Sequence, residues 1–143
     1  MDLDDDLKLV IAIARTHRAF FEIVASDFDH YDLTASEFGV LELLWHKGPQ
    51  PIQQVASKIL VTSGTVTYVI DKLVKRQLVT RRHCEKDKRV FYAELTPLGR
   101  ERISDIFPKH HAFIINTLKQ FPAEDKKAML QMLRKLYNFL LED

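Results

Sequence analysis

The chain has one cysteine, Cys84, four glycines and five prolines among 143 residues. One cysteine excludes an internal disulfide and a cysteine-rich zinc site. No glycine-rich phosphate loop, no HExxH and no nucleophile motif occurs, so nothing in the sequence points to an enzyme or a cofactor. No apolar run is long enough to cross a bilayer. The opening M-D-L-D-D-D is acidic where a signal peptide is basic, so the expected location is the cytoplasm. Internal repeats, linkers and low-complexity segments are lacking too. Net charge is only +1, yet it is unevenly spread. Residues 47–102 hold twelve Lys or Arg against five Asp or Glu, a surplus of +7, and the remainder holds nine against fifteen, or −6. A basic middle between acidic ends suggests a field where a polyanion docks.

What is present reads as mainly α with a small β-ribbon. Residues 2–30 form one long helix, with Leu3, Leu7, Val10, Ala14, His17, Phe21, Val24 and Phe28 as a heptad-like seam. At 1.5 Å per residue it spans about eight turns, too long to bury its seam against one small domain. Thr34 with Glu37 has capping-box spacing and opens a second helix through Phe38, Leu41, Leu44 and Trp45, ending at Lys47-Gly48-Pro49. Pro51 opens a short helix to Ile59, with Val55, Ala56 and Ile59 inward. After the brief Leu60-Val61-Thr62 connection, with Thr62 as expected cap, Ser63 to Gln77 form a helix whose apolar face is Val66, Val69, Ile70 and Leu73. Two short helices so joined are a helix-turn-helix. The β-rich runs Leu78–His83 and Val90–Leu95 flank a charged tip, C-E-K-D-K-R, which adds a wing. Thr96-Pro97 caps a further helix that Pro108 should kink. Phe121-Pro122-Ala123 breaks it, and a last amphipathic helix runs through Met129, Leu133, Leu136 and Leu140.

Over essentially its whole length the chain resembles the MarR family of bacterial transcriptional regulators. The marks are L-T-A-S-E-F-G-V-L at 33–41, T-S-G-T-V-T-Y-V-I-D-K-L at 62–73, D-K-R at 87–89 and L-T-P-L-G-R at 95–100. The resemblance implies a two-fold dimer with a helical dimerisation region, 1–32 and 100–143, and a winged helix-turn-helix lobe, 33–99. It implies a repressor, bound to a pseudo-palindromic operator and released by a small aromatic or electrophilic effector. T-V-T-Y-V-I-D-K-L and I-F-P-K-H-H are similar to the branch that responds to catechols and quinones. Two positions depart from the family pattern. The wing reads Asp-Lys-Arg for Asp-Arg-Arg, and Gln77 stands where a glycine with positive φ is usual.

The face of Thr65, Thr67, Tyr68 and Lys72 then looks into a major groove, where hydroxyls and cations meet base edges and phosphates. Thr62 and Ser63 sit where helix N–H groups favour a phosphate. Gln53 and Gln54 could donate to backbone oxygens. Arg89, with Lys88, is carried over from the family as a minor-groove contact, and Lys86 shares the tip. Arg81 and Arg82 alternate on a strand, so at most one, Arg81, faces DNA and the other braces the wing with Asp87. Asp71 is a structural ion-pair partner, because phosphates repel it; Lys75 and Arg76 read as solvated. The family's effector pocket would be lined by His17, Phe20, Phe21 and Trp45, although aromatics at helical spacing are usually ordinary packing. A lone thiol such as Cys84 is more often inert than a redox sensor. Among the six histidines, His110 and His111 are adjacent and point about 100° apart on a helix. Phe38 and Gly39 occupy the positions that ligate in zinc-sensing relatives, so no metal is expected. The rival class is a winged helix used for protein contact; it would carry an apolar or acidic face where this one is basic and rich in hydroxyls.

Overall fold

The computed structural model describes residues 4–59 and 65–142. Chain contacts divide it into two compact units, Met1–His110 and His111–Asp143, with the division inside one helix. Among the described residues there are six α-helices: α1 (Asp5–Phe28), α2 (Ala35–Lys47), α3 (Ile52–Lys58), α4 (Val66–Lys75), α5 (Pro97–Leu118) and α6 (Ala123–Leu141). Three antiparallel strands, β1 (Gln50–Pro51), β2 (Val79–His83) and β3 (Phe91–Leu95), lie in the order β1-β3-β2. Helices with a small ribbon of this topology are a winged helix-turn-helix, as the sequence predicts.

Local chemistry accounts for the boundaries. Asp4 caps α1 by accepting from the Leu7 amide at 2.9 Å, and a 3-10 turn, Asp29–Tyr31, follows its end. Thr34 and Glu37 form the capping box in both directions, each bond 3.1 Å. Gly48 ends α2 at φ 75°, ψ −166°, a backbone that side chains disfavour. Thr96 Oγ1 accepts from the Gly99 amide at 2.9 Å and donates to the Gln77 carbonyl at 2.6 Å, so the α5 cap also holds the loop after α4. Helix α5 continues through Pro108 to Leu118. The sequence reading missed β1: two residues, one a proline, carry no strand pattern, and Gln50 and Pro51 pair with Ala93 and Tyr92 of β3.

One core fills the first unit. Phe28, Phe38, Val40, Leu41, Leu44, Val55, Val69, Ile70, Leu73, Leu78, Val79, Ala93, Leu95, Ile103 and Ile106 are all buried in it. The seam of α1 is therefore divided: Phe28 enters this core, while Leu7 and Val10 remain exposed in the single chain. Ala56, expected to face inward, is exposed; α3 is too short to present more than Val55 fully to the core. A Cβ on Gly99 would lie 2.0 Å from the Leu78 carbonyl oxygen, so only glycine lets α5 cross the start of β2 this closely.

Candidate nucleic-acid interface

Helix α4 begins later than expected. Its N-cap is Thr65, which accepts from the Tyr68 amide at 3.4 Å. The string T-S-G-T offers more than one hydroxyl, and serine and glycine propagate a helix poorly, which favours the last of them as cap. Thr62 and Ser63, expected to meet a phosphate, lie outside the described residues. The helix then divides as its sequence predicts. Val69, Ile70 and Leu73 are buried, with Val66 packed against them, while Thr65, Thr67, Tyr68 and Lys72 are exposed. Tyr68 is 59% exposed, and Lys72 Nζ stands 5.4 Å from its ring centroid, so the two present one cationic, aromatic unit.

The neighbouring elements extend this surface. Gln53 and Gln54 are exposed on α3, and Gln54 Oε1 accepts from Lys58 Nζ at 3.3 Å. A cleft of about 660 Å³ brings Gln53 together with Thr65 and Thr67 of α4 and Arg81 of β2. At the wing, β2 and β3 pair from Val79↔Leu95 to His83↔Phe91. Arg81 is ion-paired with Asp71 of α4, which confirms a structural partner for Asp71 and ties strand to helix. Arg82 Nε donates to Glu94 Oε2 at 3.1 Å and lies over the Tyr92 ring.

Asp87 braces neither Arg81 nor Arg82. It accepts from the Arg89 backbone amide at 3.0 Å and from Arg89 Nε at 3.2 Å. An aspartate reaches the N–H two residues on, the local bond that closes tight turns. These bonds, the guanidinium's first, hold the Asp87 carboxyl below its ordinary value of 3.8. The Arg89 side chain stays 90% exposed, with Lys86 and Lys88 exposed beside it. His83 Nδ1 contacts the Lys88 carbonyl at 3.1 Å, and Cys84, half-buried, donates its amide to the Val90 carbonyl at 2.8 Å.

Arg76 corrects the sequence reading. Instead of being solvated, its Nη1 donates to the Asp32 carbonyl at 2.9 Å and to Glu37 Oε2 at 3.0 Å, with Nη2 3.8 Å from Asp32 Oδ2. A clue lay in the capping box: it uses one oxygen of Glu37, and a buried carboxylate needs a partner for the other.

The expected effector residues fall into two groups. His17 and Phe21 lie tilted against each other on α1 with centroids 4.6 Å apart and Phe20 meets Phe21 edge-on, whereas Trp45 packs on His46 and Phe107. No ring contact joins Trp45 to the α1 set among the described residues, and none of the four lines the cleft beside α4. A buried pair went unseen in the sequence: His110 Nδ1 donates to Asp27 Oδ2 at 2.9 Å, its ring stacked on Phe28 at 4.4 Å. No three His, Cys, Asp or Glu side chains gather to hold a metal ion among the described residues.

Residues 33–91 match the MarR family model. The transcriptional regulator MhqR of Bacillus subtilis is 38% identical over 133 residues, 93% of this chain and 92% of the relative. The chain belongs to the MarR family. Like its relatives it is a DNA-binding transcriptional regulator, not an enzyme. The MarR regulator Sco3205 of Streptomyces coelicolor, solved in complex with DNA, has the same fold at a TM-score of 0.83 and 18% identity, over 100% of this chain and 92% of that one. BpsR of Bordetella bronchiseptica matches at 0.81 and 23%, over 96% and 98%. No helix among the described residues of this MarR protein is long and apolar enough to cross a membrane.

Proposed function

We propose that this MarR protein binds a pseudo-palindromic operator as a homodimer and represses transcription until a small aromatic or electrophilic effector releases it. The observation that carries the reading is the split face of α4: Val69, Ile70 and Leu73 buried, Thr67, Tyr68 and Lys72 exposed opposite them. In this reading those three side chains meet base edges and phosphates in the major groove, with Gln53, Gln54 and Arg81 on the flanking backbone. Lys86, Lys88 and Arg89 approach the adjacent minor groove, where narrow A·T-rich DNA concentrates negative potential. Thr62 and Ser63, outside the described residues, would take a phosphate in this reading.

Dimerisation is supported by apolar side chains left exposed in the single chain: Leu7, Val10, Ile11 and Ile13 on α1, and Leu130, Met132, Leu133, Phe139 and Leu140 on α6. On this reading residues 1–32 and 100–143 form the dimerisation region and 33–99 the DNA-binding lobe. Effector release draws on likeness, since DNA binding by BpsR is regulated by 6-hydroxynicotinic acid. His17, Phe20, Phe21 and Trp45 are the proposed lining. Fluorescence anisotropy on the duplex upstream of the protein's own gene, beside a scrambled duplex over a salt series, tests the reading. Tighter binding to the true duplex with a steep salt slope supports it. Equal, weak binding to both, repeated after selection from random DNA, contradicts it.

A further inference from the structure

Apolar packing fixes which face of α4 turns inward, but it is non-directional, so directed bonds such as the Asp71–Arg81 pair to β2 refine the orientation. Helix α4 has ten residues, and its buried contacts are Val69, Ile70 and Leu73. Its C-terminal end is held differently. Arg76, the residue that caps α4, spreads its guanidinium over the Asp32 carbonyl, the Asp32 carboxylate and Glu37 Oε2. The two hydrogen-bond acceptors, Glu37 Oε2 and the Asp32 carbonyl, are themselves held, whereas the Asp32 carboxylate is exposed. Glu37 is 4% exposed and spends its other oxygen on the Thr34 amide. Asp32 sits at φ 54° in the turn that ends α1, and the carbonyl before it, of Tyr31, accepts from Arg102 Nη2 of α5 at 2.6 Å. Two hydrogen bonds from one nitrogen, Nη1, thus join the C-terminal end of α4 to the start of α2 and to a turn that α5 also grips.

We propose that Arg76 is the positioning residue for DNA reading: it sets the tilt and register of α4, so that Thr67, Tyr68 and Lys72 meet base edges, without touching DNA itself. The inference rests on the DNA-reading function proposed above. The N–H groups of a planar guanidinium are directed, whereas an ammonium is a freely rotating point charge on a shorter stem, so lysine is a poorer substitute here. Backbone contacts tolerate a small change of tilt, because phosphates are sequence-independent and long cationic side chains follow them; base-edge hydrogen bonds do not.

The test uses Arg76→Lys and Glu37→Gln, with Arg76→Ala as the harsher form. Arg76→Lys keeps the charge, and Glu37→Gln keeps an oxygen for the Thr34 amide, so both retain the capping box. Affinity is measured by anisotropy on the wild type's selected duplex and on a scrambled one, over a salt series, with thermal melting beside it. The expected result is a loss of about tenfold on the selected duplex for Arg76→Lys, with scrambled binding and salt slope unchanged. Equal loss on both duplexes would mean a role in stability alone. A loss of scrambled binding together with a shallower salt slope would make Arg76 a phosphate contact, and no change would make the guanidinium's bonds irrelevant; each of these overturns the inference. A wild type that does not discriminate between the duplexes overturns the DNA-reading function itself, and this inference with it.

Discussion

Gln77 strains its own backbone. Its φ is 63°, the left-handed region. The geometry there is a Schellman ending to α4: the Gln77 amide donates to the Val74 carbonyl at 2.9 Å and the Leu78 amide to the Leu73 carbonyl at 3.0 Å. Both bonds, and that from Thr96 Oγ1 to the Gln77 carbonyl, use main-chain atoms of residues 77 and 78. Gln77→Gly keeps all three and removes the Cβ clash. An L-residue in this region costs about 1–2 kcal/mol, and glycine gives back about 0.5–1 kcal/mol through its freer unfolded chain. A net gain of about 0.5–1 kcal/mol remains, which raises Tm by about 2–4 °C for a chain of this size. The assay is thermal melting by circular dichroism at one fixed protein concentration, because a dimer's melting depends on it. Gln77→Ala is the control: it removes the exposed side chain but leaves a Cβ at positive φ, and it should not stabilise. A Gln77→Gly variant that melts at or below wild type, or a Gln77→Ala variant that melts equally high, would mean that the backbone at 77 stores no such strain.

Other positions give sharper signs. Gly99→Ala should destabilise by about 3 kcal/mol or more, since its Cβ would meet backbone rather than a movable side chain; a melt within 2 °C or so of wild type would contradict the close approach of α5 to Leu78. Arg89→Ala should weaken DNA binding most on operators with A·T-rich flanks, measured by anisotropy, and equal loss on G·C-rich flanks would contradict minor-groove contact. The Asp87–Arg89 pair lowers the Asp87 value, so its stabilisation is fully present above 3.8 and is lost as pH falls through the lower folded value. Carboxyl-carbon NMR should therefore place the Asp87 midpoint below 3.8, and a midpoint at or above it would remove the pair.

Legibility from sequence followed the range of the interaction. Capping boxes, Thr-Pro starts and hairpin tips are local, so Thr34 with Glu37, Thr96 with Pro97 and the 84–89 tip were readable in advance. The apolar faces of α2 and α4 were readable from their period. Competition among equal local signals was not: Thr62 and Thr65 both stand before α4, and only the folded helix selects Thr65. Contacts between distant positions leave no periodic trace. Arg76 reaches back to Asp32 and Glu37, 44 and 39 residues away, and His110 meets Asp27 across 83. The wing cations were legible as a charged tip, but which of them Asp87 would hold depended on the turn that forms there.

In the proposed complex the exposed face of α4 reads a major groove in each of two half-sites. Dimethyl sulfate footprinting of the bound operator tests it most directly, because the reagent marks guanine N7 in the major groove and adenine N3 in the minor groove. The expected footprint is two clusters of protected N7 centred about 34 Å apart on one face of the duplex, with protected N3 at the flanks. A single cluster, or bound DNA whose major-groove N7 positions all remain reactive, would contradict it.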